Sequence, residues 1–300
     1  MKILITGASG WLGRNSIRYF LRQGINLEDL ILIGSKRRQI LLDNEISVTI
    51  HTFQDFPRLL GNNKLEGVVH LAYLTRDFAK NGVNEYIHQN SLISEEIIKI
   101  FEFKPIWFTY VSSGAIYSNF ENEIIEIDIN KNPYGYLKMQ DEVNFQRICE
   151  LNSINISIGR LWGASGTDFI NAEKYALGEF ILSAMNNSDI KIKSSRSIFR
   201  KYCDSEQFME ICIKMAQTKT LTVFNSNGDL VEVGELAKKV AQIVNSNIQI
   251  FRPTLDLNLG NDDYYPRDNE YFNIAKSLHL TPLTLEAQIS KTFAYLQSLK

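Results

Sequence analysis

"KILITGASGWLG", residues 2–13, runs a short apolar stretch straight into glycines at positions 7, 10 and 13. Residues 2–6 read as a buried strand, and the residues after Gly10 as the opening of a helix. The three-and-three glycine spacing between them is a relative of the dinucleotide-binding fingerprint. Glycine permits the tight turn and lets the backbone approach a pyrophosphate closely. The helix N-terminus that follows offers free N–H groups and partial positive charge. A glycine pattern alone is weak; this one stands in the strand–loop–helix context that the chemistry requires. The alternative is a merely structural turn.

Working outward, apolar runs "LILIG", "ISVTI", "GVVHLA", "IWFTYVSS" and "INISIGR" recur through the first half. Helical periodicity occupies 11–23, 84–103 and 133–151. Near-continuous apolar strands alternating with helices predict an α/β fold with a parallel sheet covered on both faces. After Arg160 the rhythm changes. "LWGASGTDF" is loop-like, helices are expected near 173–187, 206–217 and 284–298, "LTVFN" reads as a strand and "VEVGELAKKVAQIV" as a helix. The expected division is a dinucleotide-binding domain over 1–160. Residues 161–300 are then mainly a smaller α/β substrate domain, with some segments returning to the sheet.

The chain of 300 residues is 44% hydrophobic and 11% aromatic, enough for a sizeable core in one large or two smaller domains. Its formal charge of −2 gives no electrostatic case for nucleic acid or an anionic membrane. No apolar run reaches the ~20 residues that span a bilayer. The N-terminus reads as a strand, not a signal peptide. Cys149, Cys203 and Cys212 share no metal-like spacing, and an odd number argues against a disulfide framework. A cytoplasmic setting is expected. His51, His70, His88 and His279 lie far apart, so no metal site is expected.

The strand "LILIG" ends about 20 residues beyond the loop, where an NAD site commonly carries an acidic residue for the ribose 2′-hydroxyl. Here stand Gly34, Ser35, Lys36, Arg37 and Arg38. No carboxylate is present to repel a 2′-phosphate, and a hydroxyl and three cations are available to bind one. NADP(H) is therefore favoured, with NAD(H) possible. The plainer reading is a basic solvated turn that opens a helix.

"NPYGYLK", residues 132–138, places Asn132 as an N-cap, Pro133 at the first helical position, and Tyr134 and Lys138 one turn apart on one face. A cation ~4 Å from the phenol, at an effective dielectric of ~20, is worth about 4 kcal/mol. That can lower a tyrosine pKa by roughly three pH units, into the range of acid–base work. "YVSS" ends the fifth apolar run, and its C-terminal end should open into the same crevice. Ser113 could there donate a hydrogen bond to a substrate oxygen.

In this order the motifs resemble the extended short-chain dehydrogenase/reductase family over nearly the whole chain. "TGASGWLG" looks like its glycine loop, and "HLAY" (70–73) like its strand-four motif, with Tyr73 where a small residue is usual. "SSGAIYS" looks like its serine strand, "PYGYLK" its Tyr-x-x-x-Lys segment, "GRLWGASG" the strand leading to the substrate domain, and "FRKYCD" a later segment whose arginine meets a substrate phosphate. The resemblance implies a Rossmann-type doubly wound sheet and a nucleotide-linked sugar substrate. It implies cofactor contacts from Gly7, Gly10, Trp11, Leu12, Gly13, Leu71, Ala72, Asn90, Tyr134 and Lys138, beside Ser35, Arg37 and Arg38. It makes Ser113, Tyr134 and Lys138 the catalytic set and Ser113 and Arg200 the substrate contacts. A homodimer through the helices 84–103 and 133–151 is possible, though burial against the chain's own sheet explains their apolar faces nearly as well.

Three departures qualify the resemblance. Gly163 stands where an asparagine is usual and Ser118 where a glycine is. Gly114 and Ala115 supply no acidic pair for water elimination, which argues against a dehydratase. An NADPH-dependent keto-sugar reductase stands first, then a nucleotide-sugar epimerase with retained NAD, then a dinucleotide-sensing protein without turnover.

Overall fold

The computed structural model describes residues 1–42, 46–117 and 127–300; Ser118 lies outside the described residues. In chain order the elements are β1 (Lys2–Thr6), α1 (Trp11–Arg22), β2 (Leu30–Ile33), β3 (Arg38–Leu42), β4 (Ile46–Ile50), α2 (Phe56–Leu60), β5 (Leu65–His70), α3 (Val83–Ile100), β6 (Trp107–Ser113), α4 (Pro133–Leu151) and β7 (Asn155–Leu161). There follow β8 (Ala164–Ser165), α5 (Ala176–Met185), β9 (Ile190–Lys191), β10 (Ile198–Lys201), β11 (Cys203–Asp204), α6 (Ser205–Thr218), β12 (Leu221–Asn225), β13 (Leu230–Glu232), α7 (Val233–Val244), β14 (Ile250–Phe251), β15 (Asp262–Tyr264), α8 (Glu270–Ser277) and α9 (Leu285–Ser298). Two compact units result: Met1–Arg160 with Met209–Phe224, and Leu161–Phe208 with Asn225–Lys300.

The first unit is built on a six-stranded sheet in the order β12–β7–β6–β5–β1–β2. It has the Rossmann-type α/β architecture, and the pairs β1–β2, β1–β5 and β5–β6 run parallel. From β1 the chain steps to β2 on one side, then returns to β5 on the other. The strand order therefore reverses beside β1, and ligands of such sheets bind at the C-terminal strand ends there. Strands β2 and β6 are buried throughout, which is why their sequences are apolar runs without alternation. Leu4, Ile31, Val68 and Phe108 of the sheet share one core with Ile97 and Ile100 of α3 and Phe145 and Cys149 of α4.

One expected sheet strand is elsewhere. "ISVTI" forms no strand of the central sheet; as β4 it pairs antiparallel with β3 in a two-stranded ribbon, Arg38 opposite Ile50, and only His51 beyond it bridges to Ile33 of β2. The sixth place in the sheet goes to β12, "LTVFN". An apolar pentapeptide carries strand propensity but no address. The basic turn before it opens a strand, β3, and no helix.

The second unit holds a three-stranded sheet, β13–β10–β15, and two short parallel pairs, β8–β11 and β9–β14. Buried Gln288 of α9 accepts from Ser165 Oγ at 2.6 Å and donates to the carbonyls of Tyr202 and Leu283 at 3.0 and 2.9 Å. The expected helix over 231–244 begins later, at Val233, because Val231 and Glu232 pair with β10. The Glu232 carboxylate then caps the helix by accepting from Gly234 N–H at 2.6 Å. The helix α8 was not anticipated from the sequence.

Candidate active site

The turn between β1 and α1 is drawn tight against the end of β5. Gly7 has φ +65°, and a Cβ there would lie 2.7 Å from the Leu71 carbonyl carbon and 2.8 Å from Ala72 N. A Cβ on Gly13 would lie 2.3 Å from Gly7 O. Both positions thus need glycine for close backbone approach. Gly10 occupies the N-cap of α1 with no side chain to cap it. The first helical N–H groups, beside Trp11, Leu12 and Gly13, therefore face the turn as donors for an anion.

Thr6 fixes this arrangement. Its Oγ1 accepts from the Leu71 and Ala72 N–H groups, each at 3.1 Å, which leaves its proton to donate to His70 Nδ1 at 2.8 Å. His70 is thereby a neutral core histidine. Burial, and then the Lys138 charge, hold its pKa well below the ordinary value. Its ring stacks on Tyr110 at 5.5 Å.

Beyond β2, Ser35, Lys36, Arg37 and Arg38 are all exposed. The Arg38 guanidinium bonds Ser9 Oγ of the glycine loop. Arg14 donates to Ser9 O at 3.4 Å and to Leu41 O at 2.8 Å. Two guanidinium groups thus flank Ser9. Arg14 is a participant that sequence reasoning missed; it follows Gly13 directly, one turn into α1.

The other end of the site is laced together by β6 and α4. The Asn132 Oδ1 accepts from Gly135 N–H at 2.9 Å and caps α4, while its Nδ2 donates to Ala115 O at 2.7 Å. A Cβ on Gly135 would lie 2.2 Å from that same carbonyl oxygen, so the helix start can lie against the segment after Ser113 only as glycine. Ser113 Oγ accepts from Ala115 N–H at 3.1 Å and keeps its own proton to donate. Tyr134 is half-buried on the first turn.

Lys138 is only 5% exposed and donates to Val111 O of β6 at 2.8 Å. Its ammonium lies 3.8 Å from the centroid of the Tyr73 ring and 4.7 Å from that of Tyr110. Burial lowers its pKa to about 8, against the opposing charges of Asp141 and Glu142. Those two acids are also buried. Asp141 accepts from Ser94 Oγ at 2.8 Å and from Tyr110 OH at 3.0 Å, and burial raises its pKa. Glu142 forms a forked ion pair with Arg160, whose Nη1 donates to Tyr117 OH at 2.8 Å. Neither acid was singled out from sequence. The available signal was their place three and four residues after Lys138 on a helix whose buried face already carries a charge.

Asn90, expected among the cofactor contacts, has both ends of its amide engaged by backbone. Oδ1 accepts from Leu74 N–H at 2.9 Å and Nδ2 donates to Tyr86 O at 3.1 Å. It holds the segment after β5 to α3. Arg200 stands in the second unit on β10. There Nη1 donates to Phe199 O, Asp262 O and Asp262 Oδ1, and the guanidinium lies over Tyr264. Trp162, in the same unit, donates from Nε1 to Asn225 Oδ1 at 2.9 Å and packs on Tyr264. Among the described residues no cluster of three or more His, Cys, Asp or Glu side chains could hold a metal ion.

A dinucleotide fits the phosphate end of this site, where the cradle at Gly7 and Gly13 is one a Cβ would fill. The ammonium of Lys138, by contrast, is already covered.

The model of the NAD-dependent epimerase/dehydratase family matches residues 3–226. The ADP-L-glycero-D-manno-heptose-6-epimerase of Brachyspira hyodysenteriae is 23% identical over 168 residues, 52% of this chain and 52% of that protein. The chain thus spans about half the length of this curated relative. The UDP-N-acetylglucosamine 4-epimerase of Bacillus cereus superposes with a TM-score of 0.76 at 19% identity, covering 100% of this chain and 98% of that one. The UDP-glucose 4-epimerase of Thermotoga maritima, solved with UDP-glucose, gives 0.74 at 16% identity, covering 100% and 99%. At such identities the structural likeness carries the fold.

Proposed function

The chain belongs to the NAD-dependent epimerase/dehydratase family, a family of enzymes, and from that premise we propose that it is a nucleotide-sugar epimerase that retains its nicotinamide cofactor. The observation that supports the reading is the lacing of β6 to α4: Lys138 donates to Val111 O, and Asn132, two residues before Tyr134, donates to Ala115 O, two residues after Ser113.

In this reading Tyr134 takes the proton of a sugar hydroxyl while Ser113 donates to that oxygen. Lys138 supplies the positive charge that makes the phenol acidic enough to do so. A bound oxidised nicotinamide would supply both the acceptor and the later donor of the sugar's hydride. Tyr134 would then return its proton to the same oxygen, so the cycle would balance with no external proton or reductant. Gly114 and Ala115 offer no acid–base pair for eliminating water, so dehydration is not part of the reading.

From sequence alone a net reductase stands first. The family match and the relatives named as epimerases favour the epimerase. The basic segment bears on the cofactor instead: exposed Ser35–Arg38, with Arg14 and Arg38 about Ser9 and no carboxylate among residues 34–38, supports a 2′-phosphate on the retained dinucleotide. The reading also includes a reducing cytoplasmic setting, supported by three buried free cysteines. It includes a homodimer through α3 and α4, whose Leu92, Ile98, Val143 and Leu151 are exposed. Among the described residues no helix is long and apolar enough to cross a membrane.

Purified protein should release one dinucleotide on denaturation, identified by mass. Incubated with UDP- and ADP-linked sugars, it should convert one of them to its epimer without net NADPH oxidation. Stoichiometric NADPH consumption would replace this reading with the reductase.

A further inference from the structure

Lys138 offers little open surface to a ligand, being 5% exposed. One N–H goes to Val111 O at 2.8 Å, and the Tyr73 and Tyr110 rings lie 3.8 and 4.7 Å from the nitrogen. A hydroxyl that is to accept from this ammonium must come to about 2.8 Å, and one ring must leave first. Tyr110 is fixed: it sits in the middle of buried β6, and its hydroxyl donates to Asp141 at 3.0 Å. Tyr73 is not fixed in the same way. It follows β5, outside any strand or helix, and is half-buried. Its hydroxyl is buried without a hydrogen-bond partner among the described residues. An unpaired buried hydroxyl is costly where it stands and gains by moving to a partner. Beside it lies a cavity of about 160 Å³ lined by Tyr73, Asn90, Ser94, Asp141 and Asn144. That space is roomy enough to receive a phenol tip, and Ser94, Asp141 and Asn144 supply polar groups beside the apolar Ile98 and Leu137.

We propose that Tyr73 is a positioning residue that covers Lys138 and swings toward the α3–α4 cavity when a dinucleotide enters. This inference rests on the proposed function, since it presumes a cofactor that reaches Lys138. The ring holds the ammonium in place by a cation–π contact, a partner that is attractive yet displaceable because it donates no directional bond. On entry the ligand takes over the ammonium, and the Tyr73 hydroxyl acquires the polar partners of the cavity. Release then requires the reverse exchange, which slows dissociation and suits an enzyme that keeps its cofactor through many cycles. The position carries a small residue in the resembling family, so the device belongs to this chain's own sequence.

The test uses the full-length protein stripped of nucleotide. Stopped-flow mixing with NADPH and NADH, followed by nicotinamide fluorescence, compares wild type with Tyr73→Ala and Tyr73→Phe. In parallel, an amine-reactive ester labels the cofactor-free proteins and mass spectrometry reads Lys138. Tyr73→Ala should associate at least tenfold faster than wild type and be labelled at Lys138. Tyr73→Phe, which keeps the ring, should retain slow association and protection. Equal association rates in wild type and Tyr73→Ala, with binding intact, overturn this inference and leave the functional reading standing. Failure of all three proteins to bind either nucleotide overturns both. Should the alanine variant not fold, a crystal structure of the wild-type complex decides. A Tyr73 ring displaced from Lys138 supports the inference, and a ring still about 4 Å from the ammonium refutes it.

Discussion

Glu142 of α4 and Arg160 at the end of β7 form a forked ion pair, Nε to Oε1 at 3.1 Å and Nη2 to Oε2 at 2.7 Å. The pair ties the helix that carries Tyr134 and Lys138 to the strand next to β6. Its side chains are 4% and 15% exposed, so removing one partner leaves the other charge buried. Glu142→Ala should cost about 3 kcal/mol of stability, read as a lowered urea midpoint. Replacing both residues with apolar ones should restore most of it. A single variant as stable as wild type would mean that solvent reaches Arg160.

The glycine loop allows a controlled comparison. Gly13→Ala would drive a methyl to 2.3 Å from Gly7 O, and Gly7→Ala one to 2.7 Å from Leu71 C. Gly24, at the end of α1, also has positive φ (+81°), but nothing lies within 4 Å of its Cβ position. Gly24→Ala should cost only the strain of that conformation, about 1 kcal/mol. Gly7→Ala and Gly13→Ala should cost about 2–3 kcal/mol by overpacking and weaken dinucleotide binding at least tenfold. Calorimetric binding of NADPH to all three variants checks this. Intact binding in Gly13→Ala would remove the loop from the site.

Much of this was legible beforehand, and the physical reasons differ by element. β1, β2, β5, β6 and β7 are buried runs separated by helical periods, a pattern that only a covered parallel sheet produces. The Gly7–Gly13 loop and the Asn132–Pro133 cap are local chemistry, readable over a few residues. "ISVTI" was misplaced because sheet membership depends on distant partners: β4 found Arg38–Leu42, while "LTVFN" came back from beyond residue 220 to fill the sheet. Asp141 and Glu142 were missed because a charged residue on a helix is ordinarily a solvated one. Only the packing shows that their face is inward. Tyr73 was noted as unusual in size, but its place on the Lys138 ammonium is set by three elements at once.

Lys138 makes stability depend on pH in a definite direction. Burial lowers its pKa to about 8 in the folded protein, against 10.5 for the free side chain. Between those values the unfolded chain binds the extra proton, so stability rises with pH across the window. Relative to Lys138→Met, the wild type should therefore gain about 2–3 kcal/mol between pH 7.5 and pH 10. Urea titrations of both proteins at the two pH values measure the gap. A gap that stays constant would show that the ammonium is solvated.

Tyr134→Phe separates chemistry from binding. The substitution removes one oxygen and keeps the ring that meets Tyr73 edge-on, with centroids 5.7 Å apart, so folding and dinucleotide affinity should stay near wild type. The proton transfer has no other donor on α4 placed one turn before Lys138. Epimerisation should fall by about 10²–10⁴-fold, the ordinary worth of a positioned acid–base group. Ser113→Ala should lose about 10²-fold, because the oxyanion contact is lost while the proton route survives. The double variant should be barely slower than Tyr134→Phe alone, since residues that act as one unit are not additive in rate. Rates from a coupled assay with a nucleotide sugar, beside NADPH affinities for the same proteins, decide the matter. Turnover surviving in Tyr134→Phe would take the phenol out of the mechanism.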